Sequence, residues 1–180
     1  WKEKYAKSHN ATGAPKVVTT GNYLDNLARA ESATKDMPAG DPNAKNPMPG
    51  QSASGLFQFT QATWTGTVEK MASKGLIKKE DYADLKYRFD PAKSRKVAEF
   101  FTEENRLGLE KALNRPITQT DLYMAHFLGL GGNENGAIRF LKAYAKDPDG
   151  LAINYAGADQ VAANPSIFYS KDAPPRPRTL

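Results

Sequence analysis

The chain has 180 residues, a net charge of +5 at pH 7 and no cysteine. That length is typical of one domain with short additions, and it is enough to bury a sizeable core. Without cysteine, the chain can have neither a disulfide framework nor a cysteine-based metal site or nucleophile. No apolar run is as long as a membrane span, so we expect no membrane insertion. The positive charge favours a polyanionic partner, and both nucleic acid and bacterial cell wall fit that description.

The first predicted elements are a lead-in and a short amphipathic helix. Residues 1–20 form a basic segment of low periodicity that we expect to pack on the domain. Asn22 is a suitable helix N-cap, and the helix should run to about Ser32. Four apolar side chains share one stripe of this helix at helical spacing: Tyr23, Leu24, Leu27 and Ala28.

Glu31 continues this apolar stripe, seven residues after Leu24. Desolvation disfavours the charged form of a carboxyl group, so the pKa of Glu31 should be raised. A raised pKa lets the carboxyl hold a proton near neutral pH, as a general acid must. The alternative is a solvated residue at the helix end, paired with Arg29 or Lys35.

A long Gly- and Pro-rich loop follows the helix, from Ala33 to Ser54. Loops of that length inside a compact domain are usually functional or disordered. We expect an ordered flap, with at most a small β-hairpin, that walls a cleft beside Glu31. Asp36 and Asp41 in this loop are either turn and capping residues or a second carboxylate for the cleft.

The rest of the chain is predicted to be helical, because alternating strand patterns are scarce. Asp90-Pro91 is an N-cap followed by Pro at the first helical position, and Thr118 with Asp121 forms a capping pair. The predicted helices are Phe57–Lys74, Lys79–Leu85, 91–113, Asp121–Leu128 and Asn133–Lys146, with weaker helix or turns over Ala152–Ala163. The class is therefore all-α, with the domain at 21–170 and a basic, Pro-rich, extended tail at 171–180. Asp121–Leu128 is the most apolar helix, and we expect it to be central.

Three short segments occur in a characteristic order: Glu31-Ser32, then Ser54-Gly55-Leu56-Phe57-Gln58, then Ala125–Gly131. This trio resembles the signature of the goose-type-lysozyme-like lytic transglycosylases, in which Glu-Ser, Gly-Leu-Met-Gln and Ala-Tyr-Asn-x-Gly-x-Gly follow one another. His126-Phe127 and the later run Asn164–Tyr169 look most like the phage-encoded members of that family.

The resemblance implies a compact lysozyme-like domain that cleaves the β-1,4 bond between N-acetylmuramic acid and N-acetylglucosamine in bacterial peptidoglycan. Glu31 would protonate the glycosidic oxygen and then accept a proton from the muramoyl C6 hydroxyl, giving a 1,6-anhydro product without water. The resemblance also implies a monomer that needs no cofactor or metal and binds glycan strands, not nucleic acid. Such a protein is a phage endolysin or a virion-associated lysin, held in the host cytoplasm or the virion tail before it acts on the cell wall.

Supporting roles follow from the motif positions. Gln58 would be a sugar-binding amide, and its alternative is a hydrogen bond at a helix N-terminus. Ser32 and Ser54 would hold the N-acetyl group or Glu31 itself, with capping as the alternative. Phe57 stands at the Met position of the family and would form a sugar-facing apolar wall.

The third segment departs from the family pattern. His126 stands in place of Tyr and Phe127 in place of Asn, both counted here as substrate-binding candidates. A lone His on an apolar helix can equally be a satisfied core residue. Tyr169 is the candidate for the hydroxyl that orients Glu31.

Three rival functions remain. A lysozyme would use a second carboxylate and a water molecule on the same fold, and the shortage of acids near Glu31 favours the anhydro product instead. A non-catalytic wall-binding protein would not need Glu31-Ser32 and Gln58. A nucleic-acid binder is suggested by charge alone, since the chain has no recognised basic-aromatic motif.

Overall fold

The structure is a computed structural model that describes residues 20–47, 50–132, 134–172 and 176–180. Most of the lead-in predicted at residues 1–20 therefore lies outside the described residues. The described part of the chain is mostly helical and contains no sheet, which confirms the all-α class. Its α-helices are α1 Thr20–Ser32, α2 Gln61–Ser73, α3 Pro91–Leu113, α4 Gln119–Leu128, α5 Gly136–Lys146, α6 Ala158–Ala163 and α7 Pro165–Phe168. Its 3₁₀ helices are Lys79–Asp81, Leu85–Phe89 and Ala152–Asn154.

Local capping signals place the starts of α3 and α4. The Asp90 side chain accepts hydrogen bonds from two backbone N–H groups of the first turn, and Pro91 opens α3 as predicted. Thr118 and Asp121 form a reciprocal capping box at the start of α4. No helix in the described ranges is long and apolar enough to cross a membrane.

Other predicted boundaries are wrong. The helix predicted to start at Phe57 starts at Gln61 instead, because residues 55–58 form a turn between Ser54 and Phe59, which pair in a β-bridge. Gln58 in that turn has a φ of 48°, which a helix cannot accommodate. Two 3₁₀ helices replace the short helix predicted at 79–85, and α1 starts two residues early. The helix predicted at Asn133–Lys146 is α5, which starts at Gly136, whose own φ is 71°.

The central element is α3, which packs against α1, α2, α4 and α5. The prediction that Asp121–Leu128 is central is therefore wrong; α4 packs mainly against α3 and α5. The 23 residues of α3 extend for about 35 Å, long enough to contact several neighbours. The largest fully buried apolar side chains around it are Leu24, Phe57, Trp64, Val68, Met71, Val97, Leu109 and Leu122.

A second, smaller hydrophobic cluster lies at the C-terminal end of the domain. Its buried members are Leu128, Ala152, Ala156 and Phe168. Residues 176–180, the end of the predicted tail, run beside this cluster and pair with the domain. Tyr169 forms a β-bridge with Pro177, and Leu151 forms one with Thr179. This end of the tail is therefore part of the packed fold.

Candidate active site

The C-terminal end of α1 positions Glu31. The four apolar residues of the predicted stripe are at most 5% exposed, so the stripe faces the core as the periodicity indicates. Because Glu31 continues the same face, its side chain is only 19% exposed. A helix C-terminus carries partial negative charge, which further disfavours an ionised carboxylate at this place.

Ser32 links the end of α1 by hydrogen bonds to the Ala33–Ser54 loop and to the turn at residues 55–58. Its Oγ lies 2.9 Å from the Leu56 carbonyl oxygen and 3.0 Å from that of Ala28, and it accepts a hydrogen bond from the Asp41 N–H at 3.1 Å. A hydroxyl has one proton, so it donates to one of the two carbonyls at a time. Gly40 packs here with a φ of 118°, and a Cβ at this position would lie 3.0 Å from Ser32 Oγ. Ser32 is thus saturated within the protein and acts by holding Glu31 in place.

Two side chains of α4 face the Glu31 carboxyl group. The Tyr123 hydroxyl donates a hydrogen bond to it, and His126 Nε2 lies 4.0 Å from Oε1. Burial is the largest influence on Glu31 and raises its pKa; the Tyr123 hydrogen bond acts in the opposite direction without cancelling the effect. Glu31 therefore keeps its proton to higher pH than an ordinary glutamic acid.

His126 lies in an aromatic environment. The rings of Phe59 and Phe101 approach it edge-on, with centroid distances of 6.2 Å and 6.1 Å. Burial lowers the His126 pKa to about 4, although a hydrogen bond to the Phe57 carbonyl works against that effect. The imidazole is therefore neutral at pH 7 and does not form an ion pair with Glu31.

The predicted Gln58 amide closes the turn that precedes α2. Its Nε2 donates to the Gly55 carbonyl at 2.9 Å and to the Ala44 carbonyl at 3.4 Å. A non-glycine residue with positive φ is strained, and such residues cluster at functional sites. Gln58 therefore joins the Ala33–Ser54 loop to the turn, a role closer to the structural alternative than to sugar binding.

Phe57 and Ser54 are buried rather than turned towards a cleft. Phe57 is 1% exposed and packs edge-on against Phe59 at 6.4 Å, so it belongs to the core and does not form the predicted sugar-facing wall. Ser54 is 7% exposed, and its Oγ donates to the Ser52 carbonyl at 3.3 Å. The backbone of Ser54 bridges both Lys45 and Phe59, so a small ladder of isolated bridges takes the place of the β-hairpin.

Phe127 and Tyr169 lie in the second hydrophobic cluster. Phe127 stacks on Phe168 with a centroid distance of 6.3 Å, and Tyr169 packs against the same cluster. The hydroxyl that contacts Glu31 comes from Tyr123, the role that the sequence suggested for Tyr169. The signal for Tyr123 was its spacing: it precedes His126 by three residues, which places both on one face of α4.

The two loop acids have local roles. Asp41 Oδ1 accepts a hydrogen bond from the Asn43 N–H at 2.8 Å, which is an Asx turn, and Asp36 is exposed. Among the described residues, no group of three His, Asp or Glu side chains is arranged to hold a metal ion.

The chemical inventory at the end of α1 is short. It consists of one largely buried carboxyl whose pKa is raised, one phenol hydroxyl bonded to it and one neutral imidazole. A carboxyl group with a raised pKa can donate a proton to a substrate oxygen and then accept one as a carboxylate. No protein-family model matches the chain.

Proposed function

We propose that this protein is a peptidoglycan lytic transglycosylase with a lysozyme-like catalytic domain. The observation that carries the proposal is the convergence of the three signature segments. Ser32 bonds to the Leu56 carbonyl, Glu31 faces His126, and His126 bonds to the Phe57 carbonyl, so each segment contacts the other two. At their meeting point lies Glu31, the one acid among the described residues whose pKa burial raises above its ordinary value.

The proposed reaction uses Glu31 twice. In its protonated form it donates to the glycosidic oxygen between N-acetylmuramic acid and N-acetylglucosamine, while an oxocarbenium-like centre develops at C1. The carboxylate then accepts the proton of the muramoyl C6 hydroxyl, which attacks C1 and closes the 1,6-anhydro ring. That hydroxyl is tethered to the reacting sugar, so it has the advantage of proximity over a water molecule.

Tyr123 and His126 act on Glu31 as positioning residues. The Tyr123 hydroxyl stabilises the carboxylate that exists between the two proton transfers. Neutral His126 fills the space beside the carboxyl without a fixed positive charge. A cation at 4.0 Å would favour the ionised form and remove the proton that the first step needs.

The proposal also covers the oligomeric state, the substrate and the place where the protein acts. The protein acts as a monomer on glycan strands of the bacterial cell wall, and it is a phage endolysin or a virion-associated lysin. The alternative is a lysozyme that activates water with a second carboxylate. Asp36 and Asp41 are the loop acids available for it, and the capping role of Asp41 gives it no support.

Product analysis separates these two reactions. Purified peptidoglycan is digested in heavy-oxygen water with a chelator present, and the muropeptides are weighed by mass spectrometry. We expect products that are one water lighter than hydrolysis products and carry no heavy oxygen. Products with one heavy oxygen at the reducing end would establish hydrolysis, and a Glu31→Gln digest supplies the blank.

A further inference from the structure

A buried arginine lies behind the second signature segment. Arg88 belongs to the 3₁₀ helix Leu85–Phe89 and is only 9% exposed. A guanidinium stays charged in a protein, and a buried charge is costly unless other groups compensate it. Among the described residues, no carboxylate forms an ion pair with Arg88. The groups that compensate its charge are backbone carbonyls.

The Arg88 side chain bonds to both flanks of the second signature segment, Ser54–Gln58. Its Nη1 donates to the Ser52 carbonyl and, at 3.1 Å, to the Phe59 carbonyl. Ser52 precedes the segment by two residues, and Phe59 follows it directly. The Nε donates to the Leu85 carbonyl at 3.1 Å, which fixes the orientation of the guanidinium. Arg88 therefore joins the two ends of the segment.

The turn at residues 55–58 needs such support because its backbone is strained. Gln58 has a φ of 48°, and a strained conformation persists only where the surrounding structure holds it. Gly55, whose φ is 78°, packs so closely on the 3₁₀ helix that a Cβ there would overlap the Arg88 carbonyl oxygen. That 3₁₀ helix packs in turn on α2 and α3. The turn is therefore held against the core helices through Arg88.

Two backbone carbonyls of the same turn contact the candidate active site. The Leu56 carbonyl lies 2.9 Å from the Oγ of Ser32, the residue that follows Glu31. The Phe57 carbonyl accepts a hydrogen bond from His126. That bond decides which ring nitrogen carries the proton, so it sets the tautomer of the imidazole. A shift of the turn would move both carbonyls and disturb both side chains of the site.

We propose that Arg88 is a positioning residue for the reaction at Glu31. It acts through the turn at residues 55–58. The carbonyls of that turn orient Glu31 through Ser32 and set the tautomer of His126. The inference rests on the proposed function, because the reaction that Arg88 serves is the one proposed for Glu31. A misplacement of about 1 Å, even from a change far from the chemistry, can cost about 10²-fold in rate.

The test compares two conservative variants, Arg88→Lys and Arg115→Lys. A lysine keeps the charge but lacks the planar fork of donors that reaches both carbonyls. Arg115 is the matched control, because its guanidinium bonds to Asp121 and to the Pro116 carbonyl instead of to the turn. Initial rates over a range of peptidoglycan concentrations, measured well below both melting temperatures, give kcat and KM. The ¹⁵N NMR shifts of the His126 ring report its tautomer.

We expect Arg88→Lys to lower kcat by about 10- to 100-fold with KM nearly unchanged, because the reacting groups are misplaced while the substrate-binding surface is kept. Its His126 ring nitrogen shifts should move towards those of a mixture of two tautomers. Arg115→Lys should keep the wild-type kcat and the wild-type shifts. Unchanged kcat and unchanged His126 shifts in Arg88→Lys would overturn the proposal, and so would equal losses of kcat in the two variants.

A measurement on the unaltered protein keeps the proposal testable where Arg88→Lys does not fold. The Arg88 Nε–H is hydrogen-bonded inside the fold, so its NMR signal should exchange slowly with water. The exposed Arg29 supplies the reference for fast exchange. An Arg88 signal that exchanges as fast as that of Arg29 would show that the guanidinium does not hold the turn, and the proposal would fall.

Failure of this inference is distinguishable from failure of the proposed function. Wild-type kcat in Arg88→Lys, together with loss of lysis in Glu31→Gln, refutes the positioning role and keeps the acid. Retained lysis in Glu31→Gln refutes the acid, and the His126 shifts then still test whether Arg88 sets the turn.

Discussion

Two buried carboxyl groups on neighbouring helices behave in opposite ways. The Asp121 side chain is 6% exposed at the start of α4, and the Glu31 side chain is 19% exposed at the end of α1. Burial pushes both pKa values up. At Asp121, hydrogen bonds from the Arg115 guanidinium, at 2.7 Å and 2.9 Å, and from the Thr118 N–H and hydroxyl more than offset it, so the pKa lies below its usual range. At Glu31, the single hydrogen bond from the Tyr123 hydroxyl lowers the pKa by less than burial raises it.

Burial alone therefore does not decide whether a carboxyl is charged; the number and charge of its donors do. The helix ends act in the same sense, since a helix N-terminus stabilises the Asp121 carboxylate and a C-terminus disfavours that of Glu31. Asp121 consequently stays ionised to lower pH than an ordinary aspartic acid, and it caps α4. Glu31 keeps its proton to higher pH than an ordinary glutamic acid, and Tyr123 and His126 of α4 lie against its carboxyl group.

The largest expected effect is on the rate of wall lysis by Glu31→Gln. One group serves both proton transfers, so we expect a loss of about 10²–10⁴-fold. The amide has the shape of the protonated acid, so the circular dichroism spectrum and melting temperature should match the wild type. Lysis assays that leave more than a tenth of the activity would show that Glu31 is not the acid.

Asp121→Asn should have the opposite effect to Glu31→Gln. It should lower the stability of the fold and leave the chemical step of lysis unchanged. Loss of the charge-assisted hydrogen bonds should lower the free energy of unfolding by about 1.5–3 kcal/mol. The folded pKa is depressed below the ordinary 3.8, so the stabilisation is present above that pH and is lost as the pH falls through the folded pKa. Urea titrations at several pH values measure both effects. A stable but inactive Asp121→Asn variant would contradict the account, in which Asp121 stabilises the fold and Glu31 carries out the proton transfers.

Tyr123→Phe tests the one hydrogen bond that lowers the Glu31 pKa. We expect lysis to fall roughly tenfold, because a hydrogen bond to a charged group is lost. Removal of that bond raises the Glu31 pKa further, so the alkaline limit of activity should move to higher pH. A pH–rate profile checks both changes, with Tyr169→Phe as the matched control. Equal losses in the two variants would return the orienting role to Tyr169.

The smallest effect is expected from His126→Gln at pH 7. The imidazole is already neutral there, so we expect lysis to fall by less than about tenfold, the value of a neutral hydrogen bond. The ring C–H signals in NMR should titrate near pH 4, well below the ordinary 6.5. Because the folded pKa is lowered, His126 should also cost stability as the pH falls from 6.5 towards 4, and His126→Gln should remove that loss. Titration of the ring near pH 6.5 would mean that His126 is hydrated or charged.

Local signals in the sequence predicted the parts of the fold that local physics controls. The Asp90 and Thr118 caps fixed two helix starts, and the periodicity of α1 placed Glu31 at the edge of the core. The contact of Tyr123 with Glu31 and the burial of Phe57 depend on partners that are distant in the sequence. Local sequence patterns do not indicate which distant residues come into contact. The same holds for the pairing of Tyr169 with Pro177.

A carboxyl titration by ¹³C NMR tests the central contrast most directly. Signals are assigned by their loss in Glu31→Gln and Asp121→Asn. We expect Glu31 to titrate above the ordinary 4.5 and Asp121 below the ordinary 3.8 in the same sample. A Glu31 signal that titrates at or below 4.5 would contradict the account, because the carboxyl would then have no proton to donate near neutral pH.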